Sequence, residues 1–112
     1  MDSNRQQKIN RLIQKELSEL FLLETKKMPG ILISVTSVRV TPDLSIAHAN
    51  LSVFPSEKGE EIVKNINENV KSVRYDLGKR LKNQLRIIPE LNFHIDDSLD
   101  YIENIDRLLK DD

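Results

Sequence analysis

The segment IAHANLSVF, residues 46–54, alternates between two kinds of side chain at every second position. Because successive side chains of a β-strand point to opposite faces, this pattern predicts a strand with one face in the core and one facing outward. Two alanines on the core side leave room for a helix to pack closely on the sheet. The predicted core side comprises Ala47, Ala49, Leu51 and Val53, and the other side comprises Ile46, His48, Asn50 and Ser52.

Two other segments predict strands. Residues 31–40, ILISVTSVRV, are rich in β-branched side chains, but their apolar positions change parity between Val35 and Val38. The change indicates either a β-bulge or a strand that begins near Val35. The turn residues TPDLS follow at once. After Pro89, ELNFHID predicts a short third strand with Leu91, Phe93 and Ile95 on one side.

Three segments have the three- and four-residue spacing of amphipathic helices. The first helix is expected to be capped by Asp2, Ser3 or Asn4 and to end near KKMPG. The second is expected to begin near Ser56 and to run for about six turns. The third is expected to follow Asp97 or Ser98. Their apolar positions are Ile9, Leu12, Ile13, Leu17, Leu20 and Phe21, then Ile62, Ile66, Val70, Val73, Leu77, Leu81 and Leu85, and finally Leu99, Ile102, Ile105, Leu108 and Leu109.

This order of elements predicts an α+β fold, with a three-stranded sheet, helices packed on one of its faces and a C-terminal helix. A chain of 112 residues has room for one core, so we expect a single domain over residues 1–112 and a monomer. The second sheet face, with His48, Asn50 and Ser52, is expected to face solvent or a partner.

Composition restricts the possible functions. Seventeen basic and eighteen acidic side chains give a net charge of −1, so anion binding requires a local patch. The chain has no cysteine, which excludes disulfides and fits a cytoplasmic location. No apolar run approaches the roughly 20 residues that span a bilayer. We therefore expect a cytoplasmic protein without membrane contact.

Catalytic and metal chemistry find little support. His48 and His94 have no cysteine or histidine at ligand spacing, so no metal site is predicted. The acidic residues at positions 96–100 are better explained as helix caps than as acids or bases. The three glycines are isolated and form no phosphate loop. We expect no enzyme activity and no cofactor, and we assign Phe21, Phe54 and Phe93 to the core.

A basic stripe is predicted beside the apolar seam of the long helix. On a wheel of about 100° per residue, with Ile62 at zero, the seam covers roughly 0° to 140° and most basic residues fall at roughly 180° to 260°. Such a stripe suits a phosphate backbone, although a solvated helix face explains it about equally well. The candidate RNA-binding residues are Lys64, Lys71, Arg74, Lys79, Arg80, Lys82 and Arg86, with Arg39 and the first-helix residues Arg5, Lys8, Arg11 and Lys15 as secondary candidates.

Three runs of residues resemble the ribosome-binding factor A family, bacterial assembly factors of the small ribosomal subunit. They are VRVTPDLSIAHANLSVFP at residues 38–55, RYDLGKR at 74–80 and LRIIPELNFHIDDSLDYI at 85–102. The most specific parts are V-x-x-V-x-V-T-x-D-L-x-x-A at residues 35–47 and the run from Arg86 to Ser98. The likeness extends in order over nearly the whole chain.

The resemblance implies a KH-like fold of the α-β-β-α-α-β type. It also implies a non-catalytic factor that binds the free 30S subunit and its rRNA, assists late maturation and 16S rRNA precursor processing, and supports growth in the cold. The family has a helix-kink-helix, commonly with Ala-x-Gly at the kink. Here the corresponding residues are Asn69, Val70 and Lys71, so either the kink lies elsewhere, near residues 67–69, or the helix is straighter.

Two other functions remain open at the level of sequence. The basic stripe would also suit an acidic protein partner, which would make the chain a protein interaction module. A ribosome-associated stress or hibernation factor would bind mature ribosomes in preference to free subunits. The two specific runs of residues favour the assembly factor over both.

Overall fold

A computed structural model of the chain describes residues 4–96. The C-terminal helix predicted after residue 96 and the caps proposed at residues 2, 3, 97 and 98 lie outside these residues. The elements are α1 (Asn4–Thr25), β1 (Leu32–Val40), β2 (Ile46–Phe54), a 3-10 turn (Ser56–Lys58), α2 (Gly59–Glu68), α3 (Val70–Leu81) and β3 (Glu90–Ile95). This is the predicted α-β-β-α-α-β order.

The strands form one mixed sheet with β2 in the centre, in the order β1-β2-β3. β1 runs antiparallel to β2, and β3 runs parallel to it. The register of β1 shifts between Val35 and Ser37, so the first of the two sequence interpretations, a bulge, is correct. Because the bulge adds one residue, Thr36, both Val35 and Val38 reach the buried face despite their different parity.

The core lies between one face of the sheet and the helices. Ala47 and Ala49 are fully buried at the centre of this face, as their spacing predicts, and α1 packs mainly on β1. The ring of Phe21 in α1 meets the ring of Phe93 in β3 edge to face, with centroids 5.6 Å apart. One continuous cluster therefore joins the described elements. Whether residues 1–112 form a single domain stays a prediction.

Phe54 is 70 % exposed, and its assignment to the core is wrong. In the alternation of β2 it shares parity with His48, Asn50 and Ser52, on the face that carries no helix. The aromatic character of Phe54 suggested burial, but its position at the end of the strand places it in solvent.

The long helix of the sequence analysis is two helices that meet at Asn69. The backbone of Asn69, with φ −107° and ψ 24°, leaves the helical region. Its side-chain Nδ2 donates to the carbonyl oxygen of Asn65 at 2.9 Å, and its own carbonyl accepts from the N–H of Ser72 at 3.1 Å. The Asn69 side chain thus supplies a hydrogen bond at the break between the two helices, where no glycine is present. The kink is present near residues 67–69, and α3 ends at Leu81 rather than at Leu85.

β3 forms an edge of the sheet, and Asn67 of α2 covers the middle of that edge. Its Nδ2 donates to the carbonyl oxygen of Phe93 at 2.9 Å, and its Oδ1 accepts from the Phe93 N–H at 3.0 Å. The side chain therefore pairs with the backbone as a neighbouring strand would. Gly59 permits the close approach of α2, because a Cβ there would collide with Cδ1 of Ile95.

The β1–β2 turn is organised by Asp43. Its Oδ1 accepts hydrogen bonds from the hydroxyl groups of Thr41 and Ser45 at 2.7 and 2.8 Å and from the Ser45 N–H at 3.2 Å. These bonds stabilise the carboxylate and lower the pKa of Asp43 below its usual value. They also hold Leu44 at a positive φ of 62°.

We predict that Leu81→Ala lowers the free energy of unfolding by about 2 to 5 kcal/mol, because the fully buried side chain leaves a cavity at the junction of α3 and the sheet. Urea unfolding at constant pH measures the change. Ile87→Ala is the control: Ile87 is 73 % exposed, so its removal should cost less than about 0.5 kcal/mol. Equal losses in the two variants would contradict the packing.

We predict that Asn67→Ala lowers the free energy of unfolding by about 1 to 3 kcal/mol, because the N–H and C=O of Phe93 both lose their hydrogen-bond partner. Asn65→Ala is the control, because Asn65 is an exposed position of the same helix and the substitution changes the helix propensity by the same amount. It should leave the free energy of unfolding nearly unchanged. Urea unfolding of both variants tests the difference. A cost for Asn65→Ala as large as that for Asn67→Ala would show that the pairing with β3 contributes nothing.

Candidate nucleic-acid interface

Cationic side chains from two distant segments line one groove, which we call the basic groove. α1 contributes Arg5 and Lys8, and the chain after α3 contributes Lys82 and Arg86. The groove has a volume of about 770 Å³, and none of its lining residues within the described chain is acidic. None of its four cations forms an ion pair with another residue between 4 and 96. Its apolar floor comprises Ile9, Leu12 and Leu85.

A row of exposed residues on α3 leads to the basic groove. Lys71, Tyr75 and Lys79 are spaced by four residues and therefore share one helix face, with Lys82 three residues further on. The Nζ of Lys79 lies 4.7 Å from the centroid of the Tyr75 ring, a cation–π contact. Lys71 forms no ion pair within residues 4–96. We call these four residues the α3 row.

Arg80 belongs to a different environment. Its Nη1 donates to the carboxylates of Glu16 at 3.2 Å and Glu19 at 2.9 Å, both in α1. The Arg80 side chain is 29 % exposed and that of Glu16 is 15 % exposed. The two carboxylates balance the charge of Arg80, so its geometry favours a link between α1 and α3 over a phosphate contact.

Arg74 is directed at the loop before β3. Its Nε donates to the carbonyl oxygen of Pro89 at 3.2 Å, and its Nη2 donates to that of Ile88 at 2.7 Å. Neutral carbonyls leave the positive charge in place and use two of the five N–H donors of the guanidinium group. Arg74 therefore orients the chain between α3 and β3.

The predicted stripe is not continuous, because the break at Asn69 separates Lys64 from the cations of α3. Lys64 lies in a groove between α2 and β3 whose lining includes the acidic residues Glu60 and Glu68. Arg39 lies on the open face of the sheet, paired in register with His48. The structure thus places Lys71, Lys79 and Lys82 along the α3 row and Lys82 and Arg86 in the basic groove, and leaves Lys64 and Arg39 elsewhere. A role of these residues in RNA binding stays a prediction.

One close pair of side chains is not predicted by the sequence pattern. Nδ1 of His48 lies 3.1 Å from Nε2 of His94 on the open face of the sheet. The residues are 46 positions apart, and only the parallel pairing of β2 with β3 brings them together. Their shared strand parity was the available signal, but it required the strand order. No group of three or more potential metal ligands occurs among the residues that the structure describes.

A second concavity has a mostly apolar lining, and its charged residues are acidic, in contrast to those of the basic groove. It lies between α1 and the α2–α3 junction, has a volume of about 450 Å³, and is lined by Glu24 and Asp76 together with apolar residues such as Ile62, Ile66 and Val73. Two carboxylates disfavour a phosphate ligand there. None of the helices described for residues 4–96 is long and apolar enough to cross a membrane.

The sequence model of a protein family described as ribosome-binding factor A matches residues 5–109. A ribosome-binding factor A from Christiangramia forsetii is 47 % identical over 111 residues, which cover 97 % of this chain and 85 % of the relative. The protein of that name from Flavobacterium psychrophilum is 48 % identical over the same lengths. The one from Chlorobaculum tepidum is 38 % identical and covers 96 % of this chain and 90 % of the relative.

Solved structures show the same fold. The crystal structure of ribosome-binding factor A from Thermus thermophilus matches with a TM-score of 0.65 at 20 % identity, over 80 % of this chain and 94 % of that one. A homology model of the Thermus thermophilus protein, fitted into a cryo-EM map of a 30S–RbfA complex, also matches with a TM-score of 0.65. The likeness confirms the predicted KH-like fold.

We predict that Arg80→Gln lowers the free energy of unfolding by about 1 to 3 kcal/mol, because the partly buried carboxylate of Glu16 loses its charged donor. Lys71→Gln, an exposed position of the same helix, should change it by less than about 0.5 kcal/mol. Urea unfolding tests both variants. Weaker nucleic-acid binding by Arg80→Gln at unchanged stability would contradict the structural role.

Proposed function

Because the chain belongs to the ribosome-binding factor A family, we propose that it binds the free 30S small ribosomal subunit through the rRNA of that subunit. The bound protein assists late maturation of the subunit and processing of the 16S rRNA precursor in the cytoplasm, including during growth in the cold. The role is one of binding, with no catalytic step. The name and the 30S complex of the relatives support the partner.

The basic groove is the observation on which the RNA contact rests. Arg5 and Lys8 meet Lys82 and Arg86 across the space between two segments, and no lining residue among positions 4–96 is acidic. When an RNA strand binds in this groove, the four cations of the protein would neutralise phosphates of the RNA. The counterions condensed on the RNA would then be released, which favours binding. The charge of the whole chain is close to neutral, so this attraction is local.

The groove suits recognition of backbone and shape. Lysine and arginine contacts to phosphates fix the position of an RNA without reporting its sequence. Asn67 occupies the N–H and C=O of Phe93, so the middle of the β3 edge offers no free backbone group to a base. Specificity for one site on the subunit then comes from the shape of the folded rRNA.

Assistance in maturation follows from differential binding. A protein without a catalytic group changes the course of RNA folding only by binding one conformation more tightly than another. A groove between packed elements has this property, because its cations favour the RNA conformation whose phosphates lie nearest to them. The fully buried Leu77 and Leu81 hold α3 against the sheet, next to α1. The protein should therefore leave the subunit when the rRNA reaches a conformation that no longer fits the groove.

We predict that the double variant Lys82→Glu/Arg86→Glu loses co-sedimentation with free 30S subunits in sucrose gradients. The wild-type protein should travel with free subunits at low salt and dissociate as salt rises. In the variant, the slope of log affinity against log salt should decrease by roughly 0.7 to 0.9 for each phosphate that the protein no longer binds. Unchanged affinity together with an unchanged slope would overturn the proposed role of the groove.

Lys26→Glu/Lys27→Glu is the matched control, with the same change of charge at the other end of α1. The end of a helix of 22 residues lies about 33 Å from its start. This variant should bind like the wild type.

Two further experiments separate the alternative functions. Digestion of the lysate with ribonuclease removes an RNA partner but keeps a protein partner. Binding to mature ribosomes as strong as binding to free subunits would indicate a hibernation factor. Either a partner that survives digestion or equal occupancy of mature ribosomes would overturn the assembly role.

A further inference from the structure

Tyr75 is an aromatic side chain without a packing role. Its side chain is 66 % exposed on α3, whereas the rings of Phe21 and Phe93 are buried. A single exposed aromatic residue is ordinary on a protein surface. The surroundings of Tyr75 make it informative, because it lies between two lysines of the α3 row.

The spacing of the row matches a nucleotide unit. Lys71 and Lys79 lie one helical turn before and after Tyr75, about 6 Å along the axis in each direction. The ammonium group of Lys79 lies over the ring, 4.7 Å from its centroid, and covers one face of it. A base would stack on the face that Lys79 does not cover, with Lys71 and Lys79 beside its flanking phosphates.

We propose that Tyr75 is a stacking platform for one unstacked base of a single-stranded RNA segment, with Lys71 and Lys79 as contacts to the phosphates on either side. The RNA strand continues from the α3 row into the basic groove through Lys82, which belongs to both. This inference rests on the proposed function and assigns to it a single-stranded element of the rRNA.

Stacking on Tyr75 requires a base whose face is free. The bases of a duplex are stacked on each other, so an A-form helix offers phosphates and 2′-hydroxyl groups but no free base face to a side chain on its surface. A purely electrostatic row would contact single and double strands alike. The tyrosine between the lysines therefore predicts a preference for single strands that the charges alone do not provide.

The test uses the full chain and two RNA probes. One is a mixed-sequence oligonucleotide of about twelve nucleotides, within the range of about 4 to 16 that a single-stranded site covers, and the other is its duplex. Tyr75→Ala should weaken binding of the single strand by at least about fivefold, the loss expected for one base–aromatic stack, and leave the duplex unchanged. Lys79→Gln should weaken both. Urea unfolding checks that each variant folds.

Phe54→Ala is the matched control, because Phe54 is 70 % exposed and lies outside the α3 row and the basic groove. It should bind both probes like the wild type. Tyr75→Trp supplies a direct readout, since the chain contains no tryptophan: its fluorescence should be quenched by the single strand and not by the duplex.

The outcomes separate this inference from the proposed function. If the wild-type protein binds RNA and 30S subunits but Tyr75→Ala binds the single strand equally well, the platform is wrong and the proposed function stands. An equal loss for both probes, or tryptophan fluorescence that the single strand does not quench, also overturns the platform. If the wild-type protein binds neither RNA nor 30S subunits, the proposed function fails and the platform with it.

Discussion

The burial of both α1 and α3 against one face of a three-stranded sheet is the constraint on which the candidate interface depends. The fully buried Ala47 and Ala49 form the centre of that face, and helices lie close to a sheet where the side chains between them are small. Leu17 of α1 and Leu77 of α3 are fully buried in the same cluster. Because both helices are held in this way, the basic start of α1 meets the basic chain after α3, and the groove forms between them.

The number of basic residues on a segment overestimates the charge that it offers to a ligand. Arg80 is balanced by two carboxylates of α1, and Arg74 uses its donors on the loop before β3. Both arginines stabilise the relative positions of elements that carry the groove. Within residues 4–96, Lys71 and Lys79 of α3 make no such contact, consistent with the lower cost of leaving an ammonium group in water than of burying it. Position in the fold, rather than residue type, separates the two groups.

Two asparagines organise the junction of α2 and α3, where the chain has no glycine. Asn69 makes the break between α2 and α3, and Asn67, two residues earlier, bonds the edge of β3. One short segment therefore sets the angle between two helices and closes the sheet edge. The opposite face of the sheet stays free of the helices described for residues 4–96, with the His48–His94 pair on it. The RNA contact proposed for the groove and the α3 row would leave that face available.

Local periodicity determined the elements of this protein. Alternation identified β2, a change of parity indicated the bulge in β1, and three- and four-residue spacing identified α1, the α2–α3 segment and most of the core, because each pattern reports the environment of its own segment. Whereas the break at Asn69 is stabilised by bonds to residues within four positions of it, the order of the strands was decided by tertiary structure. So were the partners of Arg80, more than 60 residues away in the chain, and the meeting of Arg5 and Lys8 with Lys82 and Arg86. These features depend on contacts between distant segments, which the pattern within one segment does not contain.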